Sequence, residues 1–291
     1  MGISGFYPFV FILGLAVGSF LNVLADRLPQ GKSILGRSRC DHCGRVLRWF
    51  DLLPLTSFFA YRRRCRTCKG RLSWQYPIVE AATGLLFLLT FFKISNFSLY
   101  GGFLVERQFL IFNTQFLSLI PLIYLLFIVS CLVVIFVSDL KYFIIPDKII
   151  FPAIGVTLFY RFFEVLKFGH LDLIGNLKFE IGNLWPILGP LLSGVAAGAF
   201  FLALVLITRG RGMGLGDVKL AFLMGLILGW PGIFAALFLA FMSGALVGIF
   251  LILRGQATMK SEIPFGTFLA AAAIFVLLFC QNFNFWQLLW Q

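Results

Sequence analysis

Residues 117–139 read LSLIPLIYLLFIVSCLVVIFVSD, an apolar run that stops abruptly at Ser138 and Asp139. A bilayer core of about 30 Å takes about 20 predominantly apolar residues to cross as a helix. The run therefore reads as a transmembrane helix, with Asp139 as a carboxylate at its edge. Asp217 has a matching position: it follows Gly212-Met213-Gly214-Leu215-Gly216 and opens the next apolar run. The chain has 12 acidic residues among 291, and 60% of its residues are hydrophobic. Carboxylates at the edge of hydrocarbon are costly, and those kept there mark functional groups. Two of them point to an acid/base pair acting on a substrate that itself lies in the membrane.

Charged residues make up 12% of the chain, against about 25% in soluble domains, which excludes an ordinary soluble protein. Eight apolar stretches stand out: 6–25, 77–92, 117–137, 149–166, 185–207, 218–229, 233–253 and 265–281. The predicted fold is all-α, a polytopic membrane protein with about eight transmembrane helices and a small cytosolic loop module. The first stretch has neither the basic flank nor the small-residue cleavage site of a removable signal, so it reads as a retained span. The stretch Val218–Gly229 is short and resembles a re-entrant or tilted segment.

Charge asymmetry bears on its crossing. Twelve of the 24 Lys and Arg lie between Arg27 and Arg71, which the positive-inside rule assigns to the cytosol. Eight crossings add Lys141, Lys148, Arg209, Arg211, Lys219, Arg254 and Lys260 to that side. Only Lys93, Arg107, Arg161, Lys167 and Lys178 then fall outside. If 218–229 did not cross, Arg254 and Lys260 would change sides and weaken the asymmetry. Eight crossings put both termini outside and Asp139, Asp147 and Asp217 on the cytosolic face. The expected division is 1–25 as the first span, 26–76 as a basic cytosolic loop and 77–291 as a membrane core of seven further helices.

The loop sets its twelve basic residues against Asp41 and Asp51. A juxtamembrane basic segment of this kind is expected to lie on anionic lipid headgroups rather than on nucleic acid. It also contains Cys40-Asp41-His42-Cys43 and Cys65-Arg66-Thr67-Cys68, two CxxC pairs separated by 21 residues. Two such knuckles bring four thiolates into a tetrahedron around zinc. Gly44 and Gly70 suit the sharp turns required, and flanking Arg and Lys favour the thiolate form. A disulfide pairing is disfavoured by a reducing cytosol, and a redox CxxC by the presence of two matched copies. Four protein ligands at Cys40, Cys43, Cys65 and Cys68 would leave no open position, so the zinc is structural. His42 reads as a spacer, and Cys131 and Cys280 as buried thiols within spans.

For the acids, capping is the plain alternative. Asp147, after Pro146 and before an apolar run, fits a helix N-cap. Asp217 fits one too, but the alternating glycines before it are not needed for capping. They admit close backbone approach, by a neighbouring helix or an extended substrate. Hydrolysis by two aspartates needs one ionised to draw a proton from water and one protonated to donate to the carbonyl or leaving amine. The two His, His42 and His170, pair with no evident Ser or Cys nucleophile. A lysine-assisted serine stays open.

With both modules in place, the chain resembles the prepilin leader peptidase/N-methyltransferases of type IV pilus and type II secretion systems. The resemblance begins with Gly14-Leu15-Ala16-Val17-Gly18-Ser19-Phe20-Leu21-Asn22-Val23 and Arg27-Leu28-Pro29. It continues through both CxxC pairs, Asp51-Leu52-Leu53-Pro54-Leu55 and Tyr76-Pro77-Ile78-Val79-Glu80. It ends with Asp139, Pro146-Asp147 and Gly214-Leu215-Gly216-Asp217-Val218-Lys219-Leu220. The resemblance implies that Asp139 and Asp217 form the catalytic pair, with Asp147 structural. It implies prepilin and pseudopilin substrates, cut at the cytosolic boundary of a bacterial inner membrane. It also implies N-methylation of the new terminal residue with S-adenosylmethionine, a function tied to the N-terminal region around Glu80 and the zinc loop. No Gly-rich cofactor loop of the soluble kind is present. The outside segment 94–116 and the 78-residue step between the acids are long for the family.

Two alternatives remain at this point. One is a peptidase without methyl transfer, its zinc loop purely structural or used for docking. The other is a proton-coupled transporter, which calls for mid-bilayer acids and inverted repeats that the sequence does not display.

Overall fold

The computed structural model describes residues 5–40, 42–100, 111–168, 185–210, 213–256 and 263–280. Asp41, Arg107, His170, Lys178, Arg211 and Lys260 lie outside the described residues. The structure is helical, and among the described residues its β-pairing is confined to two isolated bridges, Arg39 with Val46 and Arg64 with Arg71. Two compact units divide the chain, Met1–Val137 and Ser138–Gln291.

In the first unit, α1 (Phe6–Arg27) packs along α3 (Gln75–Tyr100). Between them lie a 3₁₀ turn at Trp49–Leu52 and the short α2 (Thr56–Ala60). In hydrocarbon no hydrophobic force drives helices together, so association relies on close backbone approach through small residues. Gly14 and Gly18 supply it. A Cβ at Gly14 would lie 2.7 Å from Gly84 Cα, and one at Gly18 would lie 2.8 Å from Glu80 Cα. The loop builds a small core of its own, with Phe58 buried and its ring 5.2 Å from that of Trp74.

Helix α4 (Ile111–Tyr142) runs across the division between the units and ends where Phe143 adopts φ 55°. The second unit contains α5 (Asp147–Phe168), α6 (Trp185–Ile207), α7 (Leu215–Leu253) and α8 (Phe265–Phe275), which runs on into a π turn at Val276–Cys280. Helix α7 is central and packs against α5, α6 and α8. Its Leu220, Leu223 and Met224 are fully buried.

Each of the eight apolar stretches is helical where described, but they do not form eight separate helices. Among the described residues, five helices are long and apolar enough to cross a membrane: Phe6–Arg27, Gln75–Ser95, Leu119–Tyr142, Ile187–Ile207 and Leu215–Leu253. Phe265–Cys280 is a shorter apolar helix. The stretches 218–229 and 233–253 join in α7, broken by non-helical dihedrals at Gly229 (φ 62°, ψ −173°) and Trp230. That combination at Gly229 is accessible essentially to glycine alone. The part of α7 before the break spans about 21 Å at 1.5 Å per residue, short of a bilayer core of about 30 Å.

The break leaves carbonyls without helical partners. The natural donor to Ile227 O would be residue 231, a proline with no N–H. Arg161 of α5 fills that place, its Nη2 donating to Ile227 O at 2.8 Å and to Leu226 O at 3.3 Å. A guanidinium at a helix C-terminal end also opposes the negative pole of the macrodipole.

Candidate active site and metal centre

Asp139 lies in the last turn of α4 and is 5% exposed; Asp217 is the third residue of α7 and is 9% exposed. The second unit therefore buries both carboxylates. They stand close enough for the charge of Asp139 to act on Asp217. Residues 78 positions apart in the sequence thus come to one site.

Asp139 has a partner that sequence reading missed. Its Oδ2 accepts the Thr267 N–H at 2.7 Å, from the first turn of α8. A helix N-terminus presents unpaired N–H groups and a positive dipole end, both suited to a carboxylate. Thr267 is itself held by its hydroxyl, which donates to Pro264 O at 2.6 Å. Gly266 makes the approach possible: a Cβ there would lie 2.9 Å from Asp139 Oδ2 and 2.8 Å from Ile145 Cδ1. The signal available in sequence was Pro264-Phe265-Gly266-Thr267, a turn motif at the start of an apolar run.

Asp217 does act as a cap. Its Oδ2 accepts the Gly214 N–H at 3.3 Å, closing the first turn of α7. One oxygen so engaged leaves the other available for chemistry. Gly216 faces Ile145, where a Cβ would lie 3.2 Å from Ile145 Cβ. Ile145 thus packs against both the Asp217 turn and the Gly266 turn, tying the two together.

Asp147 has a different environment. It is the first residue of α5, and its Oδ1 pairs with Lys219 Nζ at 2.7 Å, its side chain 55% exposed. Asp147 thus stands at a helix start as an exposed carboxylate paired with a residue of α7, unlike the buried Asp139 and Asp217.

In the first unit, the Sγ atoms of Cys40, Cys43, Cys65 and Cys68 all lie within 4.8 Å of one another. Zinc–sulfur bonds of about 2.3 Å in a tetrahedron set sulfurs about 3.8 Å apart. Cys40 and Cys68 stand at 3.9 Å, and all six cysteines are free thiols. The donor set fits zinc. The two knuckles repeat each other in the backbone. Cys40 N–H donates to Arg45 O and Gly44 N–H to Cys40 O; Cys65 N–H donates to Gly70 O and Lys69 N–H to Cys65 O.

Three expectations about this loop need correction. The positive φ that each knuckle requires falls at Gly44 and at Lys69 (φ 55°), not at Gly70. Gly70 is small for another reason: a Cβ there would lie 2.6 Å from the His42 ring. His42 is more than a spacer, since its Nε2 stands 3.1 Å from Arg71 O and so links the first knuckle to the second. The third correction concerns thiol acidity. Backbone N–H groups of Cys68 and Thr67, rather than flanking Arg and Lys, bring the Cys65 thiol down to about 6. Cys68 also receives an N–H, from Gly70, yet burial and the three neighbouring thiols push it up to about 11. Four sulfurs this close cannot all ionise without a cation among them. Outside the loop, Cys131 is buried as expected, whereas Cys280 is only half-buried.

Two family profiles match the chain: the Bacterial Peptidase A24 N-terminal domain over residues 12–94, and the Type IV leader peptidase family over residues 126–249. A prepilin leader peptidase/N-methyltransferase of Pseudomonas putida is 30% identical, covering 90% of this chain and 86% of its own length. One from Myxococcus xanthus is 33% identical (88% and 67%), and one from Bacillus subtilis is 28% identical (93% and 93%). No solved structure matches. The fold and site define a helical membrane protein with a buried pair of aspartates and a four-cysteine cluster able to hold a metal ion. The chain belongs to the prepilin leader peptidase/N-methyltransferase family.

Proposed function

We propose that this protein is a membrane aspartic endopeptidase that removes the leader of prepilins and pseudopilins and N-methylates the new terminal residue. The observation that carries the cleavage reading is the burial of Asp139 and Asp217 within electrostatic reach of each other. Such a pair shares a proton, because two adjacent buried carboxylates resist being ionised together. The ionised member takes a proton from water as its oxygen attacks the scissile carbonyl carbon. The protonated member donates to the carbonyl oxygen, and the proton then passes to the leaving amine as the C–N bond breaks. Thr267 N–H holds Asp139 Oδ2 in place during these exchanges.

The working arrangement places residues 26–76 in the cytosol of a bacterium and both acids at the cytosolic boundary of its inner membrane, a placement that does not depend on whether 218–229 crosses. Zinc held by Cys40, Cys43, Cys65 and Cys68 would knit the loop together. Beside Cys65 is a hollow of about 480 Å³ lined by Tyr61, Arg62, Arg64, Arg66 and Lys69. Its charge suits anionic lipid headgroups, as do the exposed rings of Trp49, Phe59 and Trp74 in the same loop. A basic leader would be repelled by it, and nucleic acid is not the expected partner. The names of the relatives imply a methyl donor, and the family resemblance makes S-adenosylmethionine that donor.

The deciding experiment is processing of a prepilin in membranes by Asp139→Asn and Asp217→Asn proteins. Each loses cleavage while still inserting; cleavage surviving either change sinks the pair. Mass spectrometry of the processed N-terminus, with S-adenosylmethionine supplied, separates the bifunctional enzyme from a peptidase alone.

A further inference from the structure

The crossing of α1 and α3 at Gly18 presses a group of polar side chains together inside apolar helices. Glu80 is 7% exposed; it accepts the Leu55 N–H at 2.9 Å and a hydrogen bond from Ser19. Among the described residues it has no ion-pair partner, although twelve Lys and Arg lie between Arg27 and Arg71. Asn22, about one turn along α1 from Ser19, is 1% exposed. Its Nδ2 donates to Gly18 O at 3.3 Å and to Tyr76 O at 3.2 Å. Those two carbonyls fix the amide's orientation, because reversing it would set oxygen against oxygen. Its Oδ1 is then left buried and without a hydrogen-bond partner.

A buried carboxylate without a cation and a buried acceptor without a donor have the same complement, a positively charged N–H group. Glu80 lies five residues into α3, about 8 Å from the helix start at 1.5 Å per residue. A hydrophobic helix lying in the membrane, cut at the boundary, would present its new α-ammonium near that depth. We infer that Ser19, Asn22 and Glu80 form the binding site for the α-ammonium of the cleaved substrate, the methyl acceptor. This rests on the methyl-transfer reading above.

The chemistry balances. Glu80 removes one proton from the ammonium, freeing the nitrogen lone pair, while Asn22 Oδ1 accepts from a remaining N–H. The lone pair attacks the methyl carbon of a sulfonium donor, the C–S bond breaks, and its electrons stay on sulfur. The products are a thioether and an N-methylammonium, and Glu80 returns its proton to solvent.

The test uses the full-length protein in detergent, without donor, and two synthetic peptides of a mature pilin N-terminus, one with a free amine and one N-acetylated. Calorimetry is expected to give at least a tenfold preference for the free amine in the wild type, falling below threefold in Glu80→Gln. If Glu80→Gln does not accumulate in the membrane, Asn22→Ala is read the same way. An equal affinity for both peptides in the wild type, or an undiminished preference in the variant, overturns the site. So does a tenfold loss of S-adenosylhomocysteine binding in Glu80→Gln with peptide preference intact, since the ammonium would then be the donor's. Failure of the methyl-transfer reading shows separately, as an unmethylated product from wild-type protein.

Discussion

The Thr267 N–H donates to Asp139 Oδ2 at 2.7 Å, joining the end of α4 to the first turn of α8 across 128 residues of sequence. The bond depends on the absence of a side chain at Gly266, where a Cβ would lie 2.9 Å from the same oxygen. Gly266→Ala is therefore expected to displace Asp139. Overpacking of this kind costs about 1–3 kcal/mol, and small misplacements of reacting groups are costly in rate, about 100-fold for 1 Å. Prepilin cleavage should fall tenfold or more in kcat/KM while the protein still inserts. Wild-type kinetics from the alanine variant would show that this contact does not position the acid.

Asp147 and Asp139 are eight residues apart and make opposite predictions. Asp147 is more than half exposed and paired with Lys219, and exposed pairs are worth about 0–1 kcal/mol. Asp147→Asn should retain cleavage within about fivefold on that energy scale. Removing a general acid or base costs about 100- to 10,000-fold, the loss expected of Asp139→Asn. Rates for the two variants measured side by side would reveal a reversed order at once.

Zinc binding should release protons, with a pH dependence set by the loop's thiols. Cys68 sits at about 11 without metal and must lose its proton to coordinate, so affinity rises with pH through the neutral range. Cys65, at about 6, is already mostly ionised at neutral pH and adds no dependence there. Below about pH 6 it binds a proton too, and affinity falls more steeply. Competition with a chromogenic chelator from pH 5 to 8 gives the slope; a flat profile contradicts thiolate ligation. Cys40→Ser with Cys43→Ser should lower zinc content by elemental analysis and expose Arg62–Arg64 to trypsin.

Arg161 tests the break in α7. Without its guanidinium, Leu226 O and Ile227 O lose their donors. An unsatisfied buried polar group costs about 1–3 kcal/mol, so Arg161→Met should lower thermal stability in detergent and reduce accumulation. Arg161→Lys, which carries charge but not the forked donor geometry, should recover part of the loss. Wild-type melting of Arg161→Met would assign the carbonyls another partner.

By itself the sequence determined what depends on local chemistry. Apolar runs of bilayer length dictate helices, because a backbone in hydrocarbon must satisfy its hydrogen bonds internally. The two CxxC spacings dictate knuckles, and aspartates at the ends of long apolar runs are too costly to be incidental. The tertiary structure decided what depends on distant residues meeting. It paired Asp139 with Thr267, set Ile145 against both the Asp217 and the Gly266 turns, gave the Ile227 carbonyl to Arg161, and buried Glu80 with Asn22 at a glycine crossing. None of these follows from hydropathy, which records how far a residue avoids water and not which neighbour meets its polar atoms. Even within the loop, the positive φ at Lys69 follows from its place directly after Cys68, matching Gly44 after Cys43, whereas the need for a glycine at position 70 comes from the His42 ring of the other knuckle.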